Sequence, residues 1–193
     1  MNYSINDIKK IIRHNLSDEK YEHSIGVMSS AKQLAQKYGA NVEKAELTGL
    51  LHDITKEYSK EQHRNVIEKY NINLDELEKT EKKLWHSITG SYLVKNEIID
   101  DDEIFNAVRY HTTGRADMSL LEKIIYVADF IEPNRDYDDV EYYRKKAFEN
   151  LDTAFFEGVK WNLIEILQKN KIAHINTLNA YNFMIKDRKK GEN

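Results

Sequence analysis

Residues 21–39, YEHSIGVMSSAKQLAQKYG, decide the fold class. Tyr21, Ile25, Met28, Ala31, Leu34, Ala35 and Tyr38 recur at three- and four-residue steps, the spacing of one apolar face on an α-helix. Gly39 then offers a left-handed stop. The same periodicity continues outward, with a helix expected from Val42 to Asp53 and Ser59 with Gln62 resembling a capping box that opens the next. Two more helices are expected around Thr80–Asn96 and Asp101–His111. Ser119 can cap a helix through Leu120, Ile124, Val127 and Ile131, which should stop near Pro133 because proline disfavours helical geometry in the residue before it. The remainder reads as helical around Val140–Lys169 and Ile175–Lys186. One proline and seven glycines in 193 residues leave little turn material for a sheet. The expectation is an all-α, single compact domain over residues 1–186, with a charged tail, 187–193, that frays.

Composition narrows the chemistry. A hydrophobic fraction of 40% and a charged fraction of 32% suit a globular protein, and no apolar run approaches the roughly 20 residues that span a bilayer. The first residues, MNYSINDIKK, lack the basic-then-apolar order of a secretory signal, so a cytoplasmic protein with no membrane partner is expected. The absence of cysteine removes disulfides, thiolate nucleophiles and sulfur-ligated metals. A net charge of −4 gives no general attraction to nucleic acid polymers, while a local basic pocket for a small anion stays open.

Polar residues in apolar company point to a metal. His52 and Asp53 sit side by side within Leu50–Ile54, and Asp129 interrupts the apolar run Ile124–Ile131. A buried, unpaired carboxylate costs several kcal/mol or takes a proton, so Asp129 needs a cation or strong donors. His23 lies near the inner edge of its helix, and His86 and His111 fall on two later ones. Imidazole and carboxylate without thiolate suit iron, manganese, cobalt or zinc, and do not decide among them. Singly, each residue has a structural explanation: a hydrogen-bonded core-edge histidine, a chance His-Asp pair, an Asp paired with Arg135. The ordered combination His23, then His52-Asp53, then Asp129 is what chance does not supply.

That order resembles the signature of the HD-domain phosphohydrolases. The segments HSIGVMSSAKQLAQKYG, KAELTGLLHDITKE, HSITGSYLV, AVRYHTTGRADMSLLEKIIYVADFIEPNR and INTLNAYN are further similar to the YqeK family, over about Lys20 to Asn182. Members of that family are symmetrical bis(5′-nucleosyl)-tetraphosphatases. The resemblance implies an HD-type helical bundle and hydrolysis of diadenosine tetraphosphate to two ADP, through attack of metal-activated water on phosphorus. The metal, iron in first place, would be held by His23, His52, Asp53 and Asp129. His86 and His111 would either ligate a second metal or face the phosphates, the latter being preferred, and would protonate or hydrogen-bond the leaving group. Lys56, Thr112, Arg115 and Arg135 would lie near the nucleotide, with Lys171 to Ile175, including His174, beside the base or ribose. Arginine suits this role because its planar fork engages two phosphate oxygens at once. A homodimer is compatible with such a chain. The alternatives are the same metal site acting on a nucleoside triphosphate, a guanosine alarmone or a cyclic dinucleotide, or an alarmone sensor that does not hydrolyse.

Overall fold

The computed structural model describes residues 4–191, with side chains through residue 188. Eleven α-helices follow one another among the described residues, with no strand: α1 (Ile5–Asn15), α2 (Asp18–Tyr38), α3 (Val42–Leu51), α4 (Lys60–Lys69), α5 (Glu76–Thr80), α6 (Trp85–Leu93), α7 (Asp102–Tyr110), α8 (Leu120–Ile131), α9 (Val140–Glu149), α10 (Leu151–Gln168) and α11 (Ile175–Gly191). None of the described helices is long and apolar enough to cross a membrane. The all-α expectation holds.

The helix ends follow local chemistry. Gly39 takes φ 73° at the end of α2, and the Ser59–Gln62 and Ser119–Glu122 capping boxes open α4 and α8. Three boundaries differ from the sequence reading. The helix expected through Asp53 ends at Leu51, and His52 and Asp53 lie on the turns that continue it. The stretch expected as Thr80–Asn96 is interrupted at Glu81, whose φ −91° and ψ 86° are not helical. A 3-10 turn, Lys82–Leu84, then leads into α6, and a π turn follows at Val94–Ile98. The run from Val140 to Lys169 is cut at Asn150, which is extended and caps α10 by accepting from the Thr153 N–H at 2.8 Å. Asparagine competes with helical backbone bonds through its side chain, and here it ends one helix and starts another. The last helix runs through Gly191, past Lys186; the fraying expected of 187–193 falls partly on Glu192 and Asn193, outside the described residues.

Packing places the functional elements. The core joins Val27, Ala31 and Leu34 of α2 with Leu47, Leu50 and Leu51 of α3 and Ile124, Ile125 and Val127 of α8, all essentially fully buried apart from their edges. α2 and α3 approach so closely at Gly49 that a Cβ there would lie 2.8 Å from the Cα of Met28. Only glycine permits that separation, since nonbonded carbons sit at about 3.5–4.0 Å. The first helix, α1, was not anticipated; Ser4 and Asp7 cap it reciprocally and Ile8 and Ile12 bury its inner face against α3.

Candidate metal centre

The second turn of α2, the turns after α3 and the last turn of α8 converge on one point. His23 Nε2 lies 3.2 Å from Asp129 Oδ1 and 3.9 Å from Asp53 Oδ2, and His52 Nε2 lies 3.5 Å from Asp53 Oδ2 and 4.0 Å from Asp129 Oδ1. The other oxygen of Asp53 faces a second pair, His86 Nε2 at 3.2 Å and His111 Nε2 at 3.4 Å. The sequence-predicted quartet and the two later histidines are therefore brought together, around the two oxygens of one buried carboxylate.

Backbone carbonyls set the tautomers. His52 Nδ1 donates to the carbonyl of Gly49, His86 Nδ1 to Lys83 and His111 Nδ1 to Val108, each at 2.7 Å. Every one of these rings then turns a bare Nε2 lone pair inward. Burial pushes the His52 ring down to about 4 and the His86 ring to about 3, against the attraction of the neighbouring carboxylates. The Asp53 and Asp129 carboxyls, which burial alone would push up, are held well below the usual range by the surrounding histidines together with Lys56 at Asp53 and Arg135 at Asp129. Lone pairs thus face ionised oxygens, an arrangement that repels itself unless a cation intervenes. His52 Nε2 is fully buried without a hydrogen-bond partner. A divalent ion fits that donor set: two imidazoles and two carboxylates, all nitrogen and oxygen.

His23 differs from its companions in having a carboxylate behind it. Its Nδ1 donates to Glu132 Oε1 at 3.1 Å, and a Cβ at Gly26 would lie 2.3 Å from Glu132 Oε2. Burial opposes protonation of His23, but Asp129 and Glu132 outweigh it and push the ring up to about 9. Glu132, 2% exposed, was not singled out in the sequence; an acid directly before Pro133 at the end of an apolar helix was the available signal.

Cations rim the centre. Lys56 Nζ reaches both oxygens of Asp53, Oδ2 at 3.2 Å and Oδ1 at 3.3 Å, and lies 3.1 Å from His86 Nε2. Arg135 donates from Nη2 to Asp129 Oδ1 at 2.6 Å and lines two clefts, while Thr112 Oγ1 stands 3.2 Å from His111 Nε2 and 3.3 Å from His86 Nε2. One cleft, of about 200 Å³, runs from His111 and Asp129 to the aromatic rings of Phe130, Tyr137 and Trp161; another, of about 370 Å³, lies over His23, Asp53 and Lys56. Phe130, Tyr137 and Trp161 were not anticipated either.

Three predicted contacts stand elsewhere. Arg115 forms a two-pronged pair with Glu122 at 2.6 and 2.8 Å and lines none of the clefts at the centre. His174 is buried, its Nε2 3.0 Å from Asp75 Oδ2 and 3.6 Å from Glu78 Oε1, while Nδ1 accepts the Asn176 N–H. Lys171 is exposed. Both His174 and Lys171 line a third cleft, of about 320 Å³, which reaches Thr112 and Trp161.

Comparison with known proteins agrees with this geometry. The HD domain family matches residues 21–134. A protein of Bacillus subtilis (strain 168) named "Bis(5'-nucleosyl)-tetraphosphatase, symmetrical" is 37% identical over 90% of this chain and 94% of its own length. A protein of Halalkalibacterium halodurans with the same name is 37% identical over 93% of this chain and 96% of its own. The crystal structure of a "predicted HD superfamily hydrolase involved in NAD metabolism" from Clostridium acetobutylicum superposes with a TM-score of 0.91 at 36% identity, covering 96% of this chain and 98% of that one.

Proposed function

The chain belongs to the HD-domain family, and from that premise we propose that it is a metal-dependent symmetrical bis(5′-nucleosyl)-tetraphosphatase, hydrolysing diadenosine tetraphosphate to two ADP. The observation that carries the metal-dependent part is the buried, partnerless Nε2 of His52 facing two ionised carboxylates. His23, His52, Asp53 and Asp129 would hold the ion, iron in first place. Such an ion supplies Lewis acidity to a phosphoryl oxygen and makes bound water a better nucleophile.

The chain's own residues do the rest. Lys56 at Asp53 and Arg135 at Asp129 line one cleft and place positive charge where the anhydride oxygens gather negative charge as the bond breaks. Departing ADP is an anion that such charge stabilises. With Nδ1 given to a backbone carbonyl, His86 and His111 turn Nε2 toward the phosphate-facing surface. Lys56 Nζ stands within hydrogen-bond distance of His86 Nε2 and completes the group. Thr112, between the two rings, contributes a hydroxyl to the same phosphate-facing surface. Arg115 braces the entry to α8 through Glu122. The clefts on either side of the centre give room for a substrate with two similar halves.

The test is a product analysis with elemental analysis of the purified protein. Diadenosine tetraphosphate should yield ADP alone, with metal bound close to stoichiometry. ATP plus AMP, or turnover without any bound metal, overturns the proposal.

A further inference from the structure

Next to the metal centre, the turn Lys82–Leu84 borders a cleft of about 470 Å³ lined by Lys56, His63, Lys82, Lys83, His86 and Thr112. Lys60 and Arg64, on α4, lie close enough to Lys82 to act on its charge. Lys60 above all, with some burial and the charge of Arg64, holds the Lys82 ammonium below the usual lysine range. Among the described residues none of Lys60, Arg64, Lys82 and Lys83 forms an ion pair with a carboxylate. Other surface lysines do: Lys69 with Glu97, Lys79 with Glu76, Lys123 with Asp152. The nearby acid Glu81 accepts the Lys83 backbone N–H at 3.4 Å and makes no ion pair with the Lys83 ammonium.

Acidic residues outnumber basic ones in this chain, 33 to 29, yet four cations are left together here without a counter-charge. Like charges held side by side repel, and a chain with acids to spare has the means to neutralise them. The floor of the cleft explains what they face. His86 opens directly onto Asp53 and Lys56 at the centre. His63 is buried, its ring fixed by Thr89 Oγ1 at 2.8 Å, so this side of the cleft is built from an ordered polar network linking Thr89 to Thr55 and on to the carbonyl of His86.

We propose that this cleft binds oligophosphate, with Lys60, Arg64, Lys82 and Lys83 taking the phosphate chain on one side of the scissile bond while Lys56 and the metal centre take the reacting phosphate. The assignment of the occupant to substrate rests on the tetraphosphatase reading; the oligophosphate site does not. Lysine and arginine on flexible stems suit a chain of tetrahedral anions, where each phosphate needs charge more than a fixed geometry. Substrate binding should then depend on salt more steeply than contacts at the metal alone would produce.

Titration calorimetry with inorganic tripolyphosphate, on the holoprotein with divalent ion in excess, tests the site. The double variant Arg64→Glu/Lys82→Glu changes two exposed side chains. The control Lys37→Glu/Lys145→Glu makes the same change in net charge at other exposed positions, Lys37 lying about 21 Å along α2 from His23. Affinity should fall by about tenfold or more in the first and stay within about twofold of wild type in the second, with matching thermal unfolding in all three. KM for diadenosine tetraphosphate should rise with it, and its salt dependence should flatten. Equal loss in both doubles, or none in Arg64→Glu/Lys82→Glu, overturns the site. If wild type fails to split diadenosine tetraphosphate but tripolyphosphate binding still falls selectively, the cleft stands and the substrate reading falls.

Discussion

Gly49→Ala is the perturbation that most directly couples packing to the metal centre. The added methyl would meet Met28 Cα at 2.8 Å, Met28 N at 3.0 Å and Val27 C at 3.2 Å, all backbone atoms of α2 that no rotamer can move aside. To reach ordinary contact, α3 must retreat by roughly 1 Å. Overpacking of this kind costs about 1–3 kcal/mol, and the better helix propensity of alanine returns about 1 kcal/mol. The net loss is about 0–2 kcal/mol, or a fall of up to about 8 °C in Tm for a chain of this size. The larger effect falls on the ion, because α2 carries His23 and α3 leads into His52 and Asp53. Metal–ligand distances tolerate only about 0.2 Å, so metal affinity should fall by about tenfold or more. Differential scanning of the metal-free proteins and competition with a chelating dye measure the two quantities. Gly158→Ala is the comparison: its Cβ would meet only side-chain atoms of Tyr126 and Phe130, at 3.3 Å and beyond, and should leave metal affinity unchanged. A Gly49→Ala protein that gains about 1 kcal/mol and holds metal like wild type would falsify the account of this contact.

Further outcomes follow from the same geometry. Asp53→Asn should lose both bound metal and at least about a thousandfold in turnover, read by elemental analysis and ADP release; full activity in a metal-free variant contradicts the ligand assignment. Arg115→Ala leaves the buried Glu122 carboxylate without its partner and should cost about 1–3 kcal/mol in urea unfolding while KM stays within about twofold; a large KM change with unaltered stability would restore Arg115 to the substrate. Burial opposes ionisation of Glu78, yet His174 and Arg109 hold its carboxyl down at about 2, below the ordinary 4.5. Its stabilising contribution is therefore present above pH 4.5 and is lost as pH falls through about 2. The stability gap between wild type and Glu78→Gln should be full at neutral pH and shrink across that window; a gap constant with pH would remove the charge from the explanation.

The parts of the site that sequence revealed were those where a polar residue breaks an apolar pattern on one helix. Asp129 inside Ile124–Ile131 and the His52-Asp53 pair after Leu50-Leu51 announce themselves in this way, because burial of a charge is costly wherever the helix packs. Lys60, Arg64 and Lys82 look like ordinary solvated residues, and their crowding exists only once α4 and the turn before α6 are folded side by side. The pairing of Arg115 is hidden in sequence for the same reason. Its partner Glu122 also closes the capping box with Ser119, and nothing local shows that one carboxylate serves both. Asn150 was legible in principle, as a capping residue three positions before Thr153, but helix-favouring neighbours on both sides concealed the break. Trp161 reaches the cleft through packing of α10 against α8 and Tyr137 through the loop after α8, where its hydroxyl donates to the Phe130 carbonyl, and periodicity alone locates neither.

The wide separation along the chain of the groups that meet at the centre has a consequence for the protein's persistence. An ion bound by His23 and Asp129 ties together positions more than half the chain apart, and the unfolded chain cannot reproduce that arrangement. The ion is then a reversible staple, adding about 2.7 kcal/mol when its free concentration is a hundred times its dissociation constant and almost nothing when it is scarce. Supply of the metal would set not only the rate of hydrolysis but also how long each folded molecule survives against proteolysis, so that metal starvation removes the enzyme as well as silencing it.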